Sequence, residues 1–275
     1  MKNAKLVEMM KYQDMVIVPG CHDALGAKII EKSGYEAVYM TGNGLSASLI
    51  GAPDIGLLTM TEMVERARYF SEAVNIPIIA DGDTGYGNVN NVRRTIHSYE
   101  DAGVSAVHLE DQVTPKRCGA MKGINLISPE EHAEKIRVAC ETRVDKNFLI
   151  IGRTDARIKN GFSDALYRGQ VYADAGADLI LLEMLQSADE IREAVKKINA
   201  PIMFNYVEGK TPPLKGSEFK NIGVKILCFP ISSTLAYAQM MKQFLKSISD
   251  NGGTSCVDMM TINEYEGVLD ISDYL

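Results

Sequence analysis

Five charged side chains follow short apolar runs of this sequence and together could perform metal or acid–base chemistry. In chain order they are Asp81, Asp83, Glu110, Arg153 and Glu183. Asp81 and Asp83 are two residues apart, so in an extended segment their side chains point the same way. Crowded carboxylates repel each other without a cation, and oxygen ligands favour a hard ion such as Mg²⁺. The pattern predicts a magnesium site; the alternative is that these carboxylates cap helix N-termini.

A cysteine in a polar segment is the second reactive feature. Cys118 lies in the sequence Pro-Lys-Arg-Cys-Gly (115–119), and the two adjacent cations favour its thiolate form. The glycine beside it would allow the segment to move. A buried cysteine is more often a small apolar residue, but the polar surroundings of this one predict a functional thiol on a mobile loop.

Three other features have mainly structural interpretations. His108 alternates with Glu110 along the chain and is predicted to be a hydrogen-bonded residue inside the fold. Cys21 has no activating charge beside it and is interpreted as a packing residue. The segment Thr-Gly-Asn-Gly (41–44) could bind an anion with its backbone N–H groups, although any tight turn can show this pattern.

A repeated sequence pattern provides the elements that would bring these side chains together. The segments 31–40, 100–110, 173–183 and 220–229 each combine a polar helix end, a glycine and a short apolar run. With the other apolar runs, the predicted strands are 15–19, 37–40, 77–81, 105–110, 148–153, 178–183, 201–205 and 224–229. Amphipathic helices are predicted at 60–73, 129–141, 163–175 and 188–197. The alternation favours a parallel (β/α)8 barrel of the TIM type, with a doubly wound open sheet as the alternative.

The reactive side chains all lie at predicted C-terminal strand ends, where barrel enzymes build their active sites. No linker or composition shift divides the chain, so residues 1–275 are interpreted as one domain. Two segments exceed what the barrel requires. Residues 112–128 are long enough to form an active-site lid. Residues 250–275 form a C-terminal extension, in which 257–269 could be a helix that packs on a neighbouring subunit.

Composition excludes several classes of function. The chain has 275 residues and a formal net charge of −7, which argues against nucleic acid and anionic membranes as partners. A local cation or arginine would still allow an anionic substrate. The five cysteines are widely spaced with no Cys-x-x-Cys pair, which indicates reduced cytoplasmic thiols. We expect no signal peptide and no membrane-spanning helix.

Five motifs, in this order, resemble the isocitrate lyase / phosphoenolpyruvate mutase superfamily. They are PGCHDALGAK (19–28), DGDTGYGN (81–88), HLEDQ (108–112), PKRCG (115–119) and GRTDA (152–156). The likeness runs from about residue 10 to residue 270. Cys118 stands where the lyases of this superfamily have a cysteine and the phosphonomutases have an asparagine-type residue. Within the superfamily the chain therefore looks most similar to 2,3-dimethylmalate and 2-methylisocitrate lyases.

The resemblance implies a ligand set for a metal and a substrate. Mg²⁺, or Mn²⁺ in its place, would be held by Asp81 and Asp83 with support from Asp54 and Glu110. The residues implied to hold a small di- or tricarboxylate are Tyr39, Thr41, Gly42, Asn43, Asp81, Gly119, Arg153, Glu183 and Asn205. The resemblance also implies a homotetramer with exchanged C-terminal helices.

The implied reaction is a retro-aldol or retro-Claisen cleavage of a carbon–carbon bond. Mg²⁺ would lower the cost of deprotonating the substrate hydroxyl. Cys118, delivered by lid closure, would protonate the leaving carbanion as general acid. Arg153, with Lys116 and Arg117 of the lid, would stabilise the developing charge. Tyr39 is one candidate for the base that takes the hydroxyl proton.

One departure from the family bears on the substrate. Isocitrate and methylisocitrate lyases generally have His after the Cys-Gly of the lid, where it helps hold the succinate half; here the residue is Ala120. Its absence favours a smaller dicarboxylate such as 2,3-dimethylmalate, although Lys122 could compensate. The alternatives are 2-methylisocitrate cleavage, oxaloacetate hydrolysis or decarboxylation, phosphonopyruvate chemistry and a metabolite-binding protein without activity.

Overall fold

Eight parallel strands form a closed barrel in a computed structural model that describes residues 2–254 and 257–275. The strands are β1 (Val16–Cys21), β2 (Val38–Met40), β3 (Ile78–Asp81), β4 (Ala106–Glu110), β5 (Leu149–Thr154), β6 (Leu179–Leu182), β7 (Ile202–Asn205) and β8 (Ile226–Phe229). All eight predicted strands are present. The open-sheet alternative is wrong, because β1 pairs with both β2 and β8 and leaves no free edge.

Helices surround the barrel and connect its strands. Among the described residues they are α1 (Lys2–Tyr12), α2 (Ala24–Lys32), α3 (Gly42–Ile50), α4 (Met60–Ala73), α5 (Val89–Asp101), α6 (Pro129–Thr142), α7 (Ala156–Asn160), α8 (Phe162–Asp174), α9 (Ala188–Lys197), α10 (Gly216–Ile222), α11 (Ser232–Asn251) and α12 (Ile262–Val268). The predicted helices 60–73 and 188–197 coincide with α4 and α9. The prediction 129–141 ends one residue before α6 does, and the prediction 163–175 is shifted by one residue at both ends relative to α8.

The segment 41–44 is a helix start rather than the open glycine turn that its sequence suggested. Thr41 is the N-cap of α3, and its side chain accepts a hydrogen bond from the backbone N–H of Gly44 at 3.3 Å. Gly42 is required here by contact, because a Cβ on it would lie 2.4 Å from Oδ2 of Asp81. The first turn of α3 is therefore pressed against the end of β3.

Apolar side chains fill the barrel and separate it from the helices. Val18, Ile79, Ile151 and Leu181 lie in the interior, and α1 closes its N-terminal end with buried side chains. Burial of this apolar area is the main term that holds such a fold together. With the N-terminal end filled, the polar side chains at the opposite strand ends face the open mouth of the barrel.

The lid is the connection between β4 and α6. Its two ends meet, because Gln112 forms an isolated antiparallel bridge with Leu126. The backbone N–H of Val113 donates to the carbonyl of Asn125 at 2.7 Å. Ser128 then caps α6. The lid is therefore a loop with a tied base.

The C-terminal extension is held against its own subunit. The helix α12 is shorter than the predicted 257–269, and a 3-10 turn, Ile271–Asp273, follows it. Asp270 accepts a hydrogen bond from Nζ of Lys28 at 2.6 Å and also pairs with Lys32. Residues 255 and 256, with Cys256, lie outside the described part of the chain.

One side of the barrel is left uncovered. Of the 20 residues of α11, all within the described part, only Ser247 is buried. Its exposed apolar side chains are Leu235, Tyr237, Met240, Leu245 and Ile248. Ile17 of β1, between two interior valines, points outward and is 41% exposed. Over residues 2–254 and 257–275, no helix has the length and apolarity that a membrane span requires.

Candidate active site

A cavity at the mouth of the barrel collects most of the predicted site residues. Strands β2, β3, β5 and β7 contribute side chains at or near their C-terminal ends, residues that follow β6 and β8 add to the wall, and Cys118, Gly119 and Ala120 of the segment after β4 cover them. The residues that line the cavity are Tyr39, Thr41, Asn43, Asp54, Asp81, Cys118, Gly119, Ala120, Arg153, Glu183, Met184, Asn205, Val207, Pro230 and Ile231. The enclosed space is about 40 Å³. Ligand pockets usually measure about 300–1,000 Å³, so this cavity is small for a substrate.

Arg153 forms the centre of the ion pairs under the lid. Its guanidinium lies 3.1 Å from Oε2 of Glu110 and donates from Nη2 to Oδ1 of Asp155 at 2.9 Å. Glu183 lies 3.9 Å from Nε and accepts a hydrogen bond from Asn205 at 2.9 Å. Burial lowers the pKa of Arg153, but these carboxylates outweigh burial and raise it well above its usual value. Arg153 is therefore a permanent cation that faces the cavity.

Lys116 does not face the cavity as the resemblance implied. Its ammonium lies 2.6 Å from Oδ1 of Asp54 and 2.7 Å from Oδ1 of Asp83, and its side chain is 3% exposed. Two of the four predicted metal ligands are thus paired with a cation of the chain itself. The chain itself therefore offsets part of the charge of the carboxylate cluster.

Positive charge is nevertheless scarce around the cavity. Among the described residues, Lys116 and Arg153 form ion pairs with five carboxyl groups, and their charges also act on a sixth, Asp81. The six are Asp54, Asp81, Asp83, Glu110, Asp155 and Glu183. Burial raises the pKa of Asp83 to about 6 against the pull of Lys116. Burial also raises the pKa of Glu110 and of Glu183. Carboxyl groups outnumber the cations here, so the site favours a further cation.

Asp81 is the carboxylate that stays ionised. Burial opposes ionisation, but His108, Lys116 and Arg153 outweigh it and lower the pKa to about 2. Burial lowers the pKa of His108 itself to about 4, so this imidazole is neutral at pH 7. At neutral pH it is therefore Lys116 and Arg153 that keep Asp81 ionised. Oδ1 of Asp81 accepts the backbone N–H of Asp83 at 3.0 Å. Asp83 has a φ of 46°, a left-handed conformation that non-glycine residues rarely adopt outside functional sites.

The donor set fits a hard divalent cation. Oε1 of Glu110 and Oδ1 of Asn205 are buried and have no hydrogen-bond partner within the described residues. Buried polar atoms are normally paired, and these are oxygens, the ligand type that Mg²⁺ prefers. Within residues 2–254 and 257–275, no three His, Cys, Asp or Glu side chains converge on one point. An ion here would take most of its ligands from water and substrate, as Mg²⁺ commonly does.

The surroundings of Cys118 favour the protonated thiol, whereas the sequence predicted a thiolate. Burial raises its pKa to about 11, since Lys116 beside it in sequence is neutralised by Asp54 and Asp83. Its backbone N–H donates to the carbonyl of Asp54 at 2.8 Å, which fixes this part of the lid. A thiol that keeps its proton at neutral pH can act as a proton donor.

Arg117 lies outside the cavity. Its side chain is exposed and donates to the carbonyl of Lys122 at 3.2 Å. Lys122 is also exposed, so it does not replace the lid histidine that Ala120 lacks. Arg117 and Lys122 therefore lie away from the cavity, and Arg153 is the one cation among the described residues that line it.

Tyr39 and His108 form a buried pair at the base of the cavity. The Tyr39 hydroxyl lies 2.7 Å from Nε2 of His108, and the rings are stacked. Burial raises the pKa of Tyr39 well above its usual value, so its hydroxyl keeps its proton at neutral pH. The prediction that His108 is a hydrogen-bonded interior residue is confirmed.

Sequence reasoning missed two features of the site. Gln112 and Asp155 are buried and link the lid to Arg153, but their residue types alone do not distinguish them from surface polar residues. Four apolar side chains, Met184, Val207, Pro230 and Ile231, form part of the cavity wall. They follow strands β6 to β8, and this position just past the strand ends is the sequence feature that could have identified them as wall residues.

A second cavity, of about 330 Å³, lies on the other side of Lys116. Its lining includes Asp83, Thr84, Arg94 and Lys116 but neither Cys118 nor Arg153. Although it is larger, it lacks the buried proton donor and the guanidinium. We therefore assign the chemistry to the smaller cavity under the lid.

Comparisons with known proteins agree with this geometry. The model of the phosphoenolpyruvate phosphomutase family matches residues 6–249. The chain is 44% identical to 2,3-dimethylmalate lyase of Eubacterium barkeri, over 97% of this chain and 93% of that protein. It is 38% identical to a 2-methylisocitrate lyase of Aeropyrum pernix, over 98% and 87% of the two chains. A solved oxaloacetate acetylhydrolase in complex with the inhibitor 3,3-difluorooxalacetate superposes with a TM-score of 0.95, at 31% identity over 99% and 94%. Members of the superfamily use divalent metals.

The protonation state of Cys118 can be measured directly. Iodoacetamide reacts with thiolates, so with a pKa of about 11 the labelling rate at Cys118 should rise about tenfold per pH unit from pH 7 to 9. Mass spectrometry of the Cys118 peptide measures the rate, and Cys118→Ser identifies that peptide. A rate already at its plateau by pH 7 would show that the thiolate form prevails after all.

Proposed function

The chain belongs to the phosphoenolpyruvate mutase / isocitrate lyase superfamily, and on this premise we propose that it is a carbon–carbon lyase for a small 2-hydroxy dicarboxylate. The substrate we favour is 2,3-dimethylmalate, which would give pyruvate and propionate. The observation that carries the proposal is the enclosure of a protonated thiol, Cys118, in one cavity with Arg153 and Asp81. A carbanion leaving group needs such a proton donor.

The residues of the chain divide the reaction between them. A base takes the proton of the C2 hydroxyl, the C2–C3 bond breaks, and C2 becomes the carbonyl carbon of pyruvate. The electron pair remains on C3, where the Cys118 thiol delivers its proton to give propionate. Arg153 holds a substrate carboxylate and offsets its charge. Tyr39, Thr41, Gly42 and Asn43 lie where the keto-acid half would bind.

We propose Mg²⁺ as the divalent ion, with Mn²⁺ as a substitute. Asp81 and Asp83 would hold it, with Asp54 and Glu110 in support, because these buried carboxylates outnumber the cations of the site. The ion would polarise the hydroxyl and carboxylate oxygens of the substrate. Glu183 and Asn205 bind each other at 2.9 Å and would complete the wall beside Arg153.

The cavity wall favours 2,3-dimethylmalate over 2-methylisocitrate. Both substrates give pyruvate, but the second also has a carboxymethyl group that would need its own donor. Ala120, Val207, Pro230 and Ile231 line the cavity and provide no side-chain donor. Leaving a buried carboxylate without a partner costs several kcal/mol, on the order of the usual penalty for unpaired charges. Apolar side chains suit a methyl group instead.

The reaction is tested by measuring pyruvate with lactate dehydrogenase and NADH. With Mg²⁺ present, 2,3-dimethylmalate should give more pyruvate than 2-methylisocitrate at equal concentration. Cys118→Ser should lower kcat by about 100-fold or more, because the general acid is lost. Chelation by EDTA should abolish activity, and added Mg²⁺ should restore it.

Each other outcome has a definite meaning. Pyruvate mainly from 2-methylisocitrate would retain the lyase chemistry but refute the substrate assignment. Release of oxalate and acetate from oxaloacetate, with no pyruvate from either malate derivative, would move the function to hydrolysis. Metal binding without turnover of any of these compounds would indicate a metabolite-binding protein.

Ala120→His tests what determines the substrate. An imidazole at this position adds a donor for a second carboxylate, so the ratio of kcat/KM for 2-methylisocitrate to that for 2,3-dimethylmalate should rise about tenfold. Lys122→His, two residues away on the exposed part of the lid, is the matched control and should leave the ratio unchanged. An unchanged ratio for Ala120→His would remove the argument from this position.

We also propose a homotetramer in which α11 is exchanged between subunits. The exposed outer face of β1 at Ile17 and the apolar side chains of α11 are both apolar, and both remain exposed within one subunit. We therefore propose that the exchanged helix is α11, the last helix of the barrel. Residues 250–275 are a weaker candidate, because Asp270 holds this tail to α2 of its own subunit.

Leu245→Glu should reduce the tetramer to smaller species. Leu245 is 57% exposed in the subunit, and a carboxylate there would be buried without a partner in the assembly. Light scattering after size-exclusion chromatography gives the mass of each species. Gln243→Glu places the same charge on a polar, exposed position of α11 and should remain tetrameric. A monomeric wild type would refute the exchange.

The cellular location belongs to the same proposal. Within the described part of the chain Cys21, Cys118, Cys140 and Cys228 are all free thiols. Free thiols persist in reducing compartments, where disulfides are rare. We therefore propose a cytoplasmic enzyme.

A further inference from the structure

We propose that Gln112 is a positioning residue that latches the lid and ties its closure to the orientation of Arg153. The proposal rests on the function proposed above, because it assigns a role to the residues that would bring Cys118 to the substrate. Gln112 is the first residue of the lid and has 1% of its surface exposed. Its side chain contacts Asp155 beside Arg153 but does not line the cavity.

The Gln112 amide holds the lid by its backbone. Oε1 accepts a hydrogen bond from the N–H of Arg117 at 2.9 Å, and Nε2 donates to the carbonyl of Arg117 at 2.7 Å. Arg117 directly precedes Cys118, so these two bonds fix the peptide that carries the proton donor. A flipped amide would bring like groups together at both contacts, which makes the orientation unambiguous.

The second hydrogen of Nε2 connects the lid to the barrel. It is donated to Oδ2 of Asp155 at 2.9 Å, and Oδ1 of Asp155 accepts from Nη2 of Arg153 at 2.9 Å. Asp155 is itself held, because its backbone N–H donates to Oδ1 of Asp111 at 3.0 Å. A continuous set of hydrogen bonds therefore runs from the lid backbone through Gln112 and Asp155 to the guanidinium.

The contact at Gly119 shows how closely the latched lid fits. A Cβ on Gly119 would lie 2.6 Å from Oδ1 of Asp155 and 2.7 Å from Nη2 of Arg153. The lid backbone thus rests directly on the pair that Gln112 engages. When the hydrogen bonds of Gln112 are formed, they hold the peptide before Cys118 and, through Asp155, the guanidinium of Arg153. When they break, both groups lose this support.

A different role for Gln112 would be to stabilise the barrel as a whole. The two roles predict different results, because only a latch acts selectively on the lid. Two cysteines provide the comparison: Cys118 lies in the lid, and Cys140 lies on α6 with its thiol directed at the carbonyl of Gly176. Loss of a latch exposes Cys118 alone, whereas general loosening exposes both.

The experiment uses Gln112→Met and Gln112→Glu in the intact protein. The first removes all three hydrogen bonds at similar volume; the second keeps an acceptor for Arg117 N–H but opposes the carboxylate of Asp155. Gln170→Met, on the outer face of α8, also removes hydrogen bonds and is the matched control. Iodoacetamide labelling is followed at Cys118 and Cys140 without substrate, and kcat and KM are measured with 2,3-dimethylmalate.

For both Gln112 variants we expect Cys118 labelling to accelerate about tenfold relative to Cys140, a factor that one or two lost hydrogen bonds can produce. We expect kcat to fall about 100-fold, as a misplaced catalytic group would cause, and KM to change less than about threefold. Equal acceleration at both cysteines, or no acceleration, would overturn the latch. If the wild type cleaves none of the substrates but the labelling result holds, the proposed function fails and the latch stands.

Discussion

The shortage of positive charge at the barrel mouth is the constraint on which the rest of the site depends. Six carboxyl groups share Lys116 and Arg153, and the two cations come from different parts of the molecule. Arg153 is fixed on β5, whereas Lys116 is carried by the lid. The Lys116 ammonium that pairs with Asp54 and Asp83 and the Cys118 thiol that lines the cavity are therefore carried by the same loop.

This arrangement explains why Cys118 remains a thiol. A lysine next to a cysteine in sequence normally favours the thiolate, but the Lys116 ammonium is turned toward two carboxylates and is electrically satisfied. Burial then decides the protonation state. One lysine thus neutralises the carboxylates and, by doing so, leaves the neighbouring thiol with the proton that a general acid requires.

The fold could be predicted from the sequence because its signals are local. A glycine after a polar helix end, followed by a short apolar run, indicated a strand, and all eight predicted strands are present. The one extension is β1, which continues to Cys21, beyond its predicted end at residue 19. The strand-end carboxylates and Arg153 were found for the same reason. The directions of Lys116 and Arg117 could not be predicted, because adjacent residues on a loop diverge according to tertiary partners such as Asp54. The exposure of the apolar side chains of α11 could not be predicted either. An amphipathic helix has the same sequence pattern whether its apolar face covers its own barrel or another.

The tied base of the lid sets the scale of its motion. Because Gln112 pairs with Leu126 and Val113 donates to Asn125, the part of the loop beyond its base is the 11 residues from 114 to 124. Fixing each residue of a flexible segment costs about 1–2 kcal/mol, so every residue already tied reduces the entropy lost at closure. A loop near ten residues long closes within about 10–100 ns. Chain diffusion over such a span is therefore rapid, and the lifetime of a shut state would be set by how long the contacts beneath the loop survive.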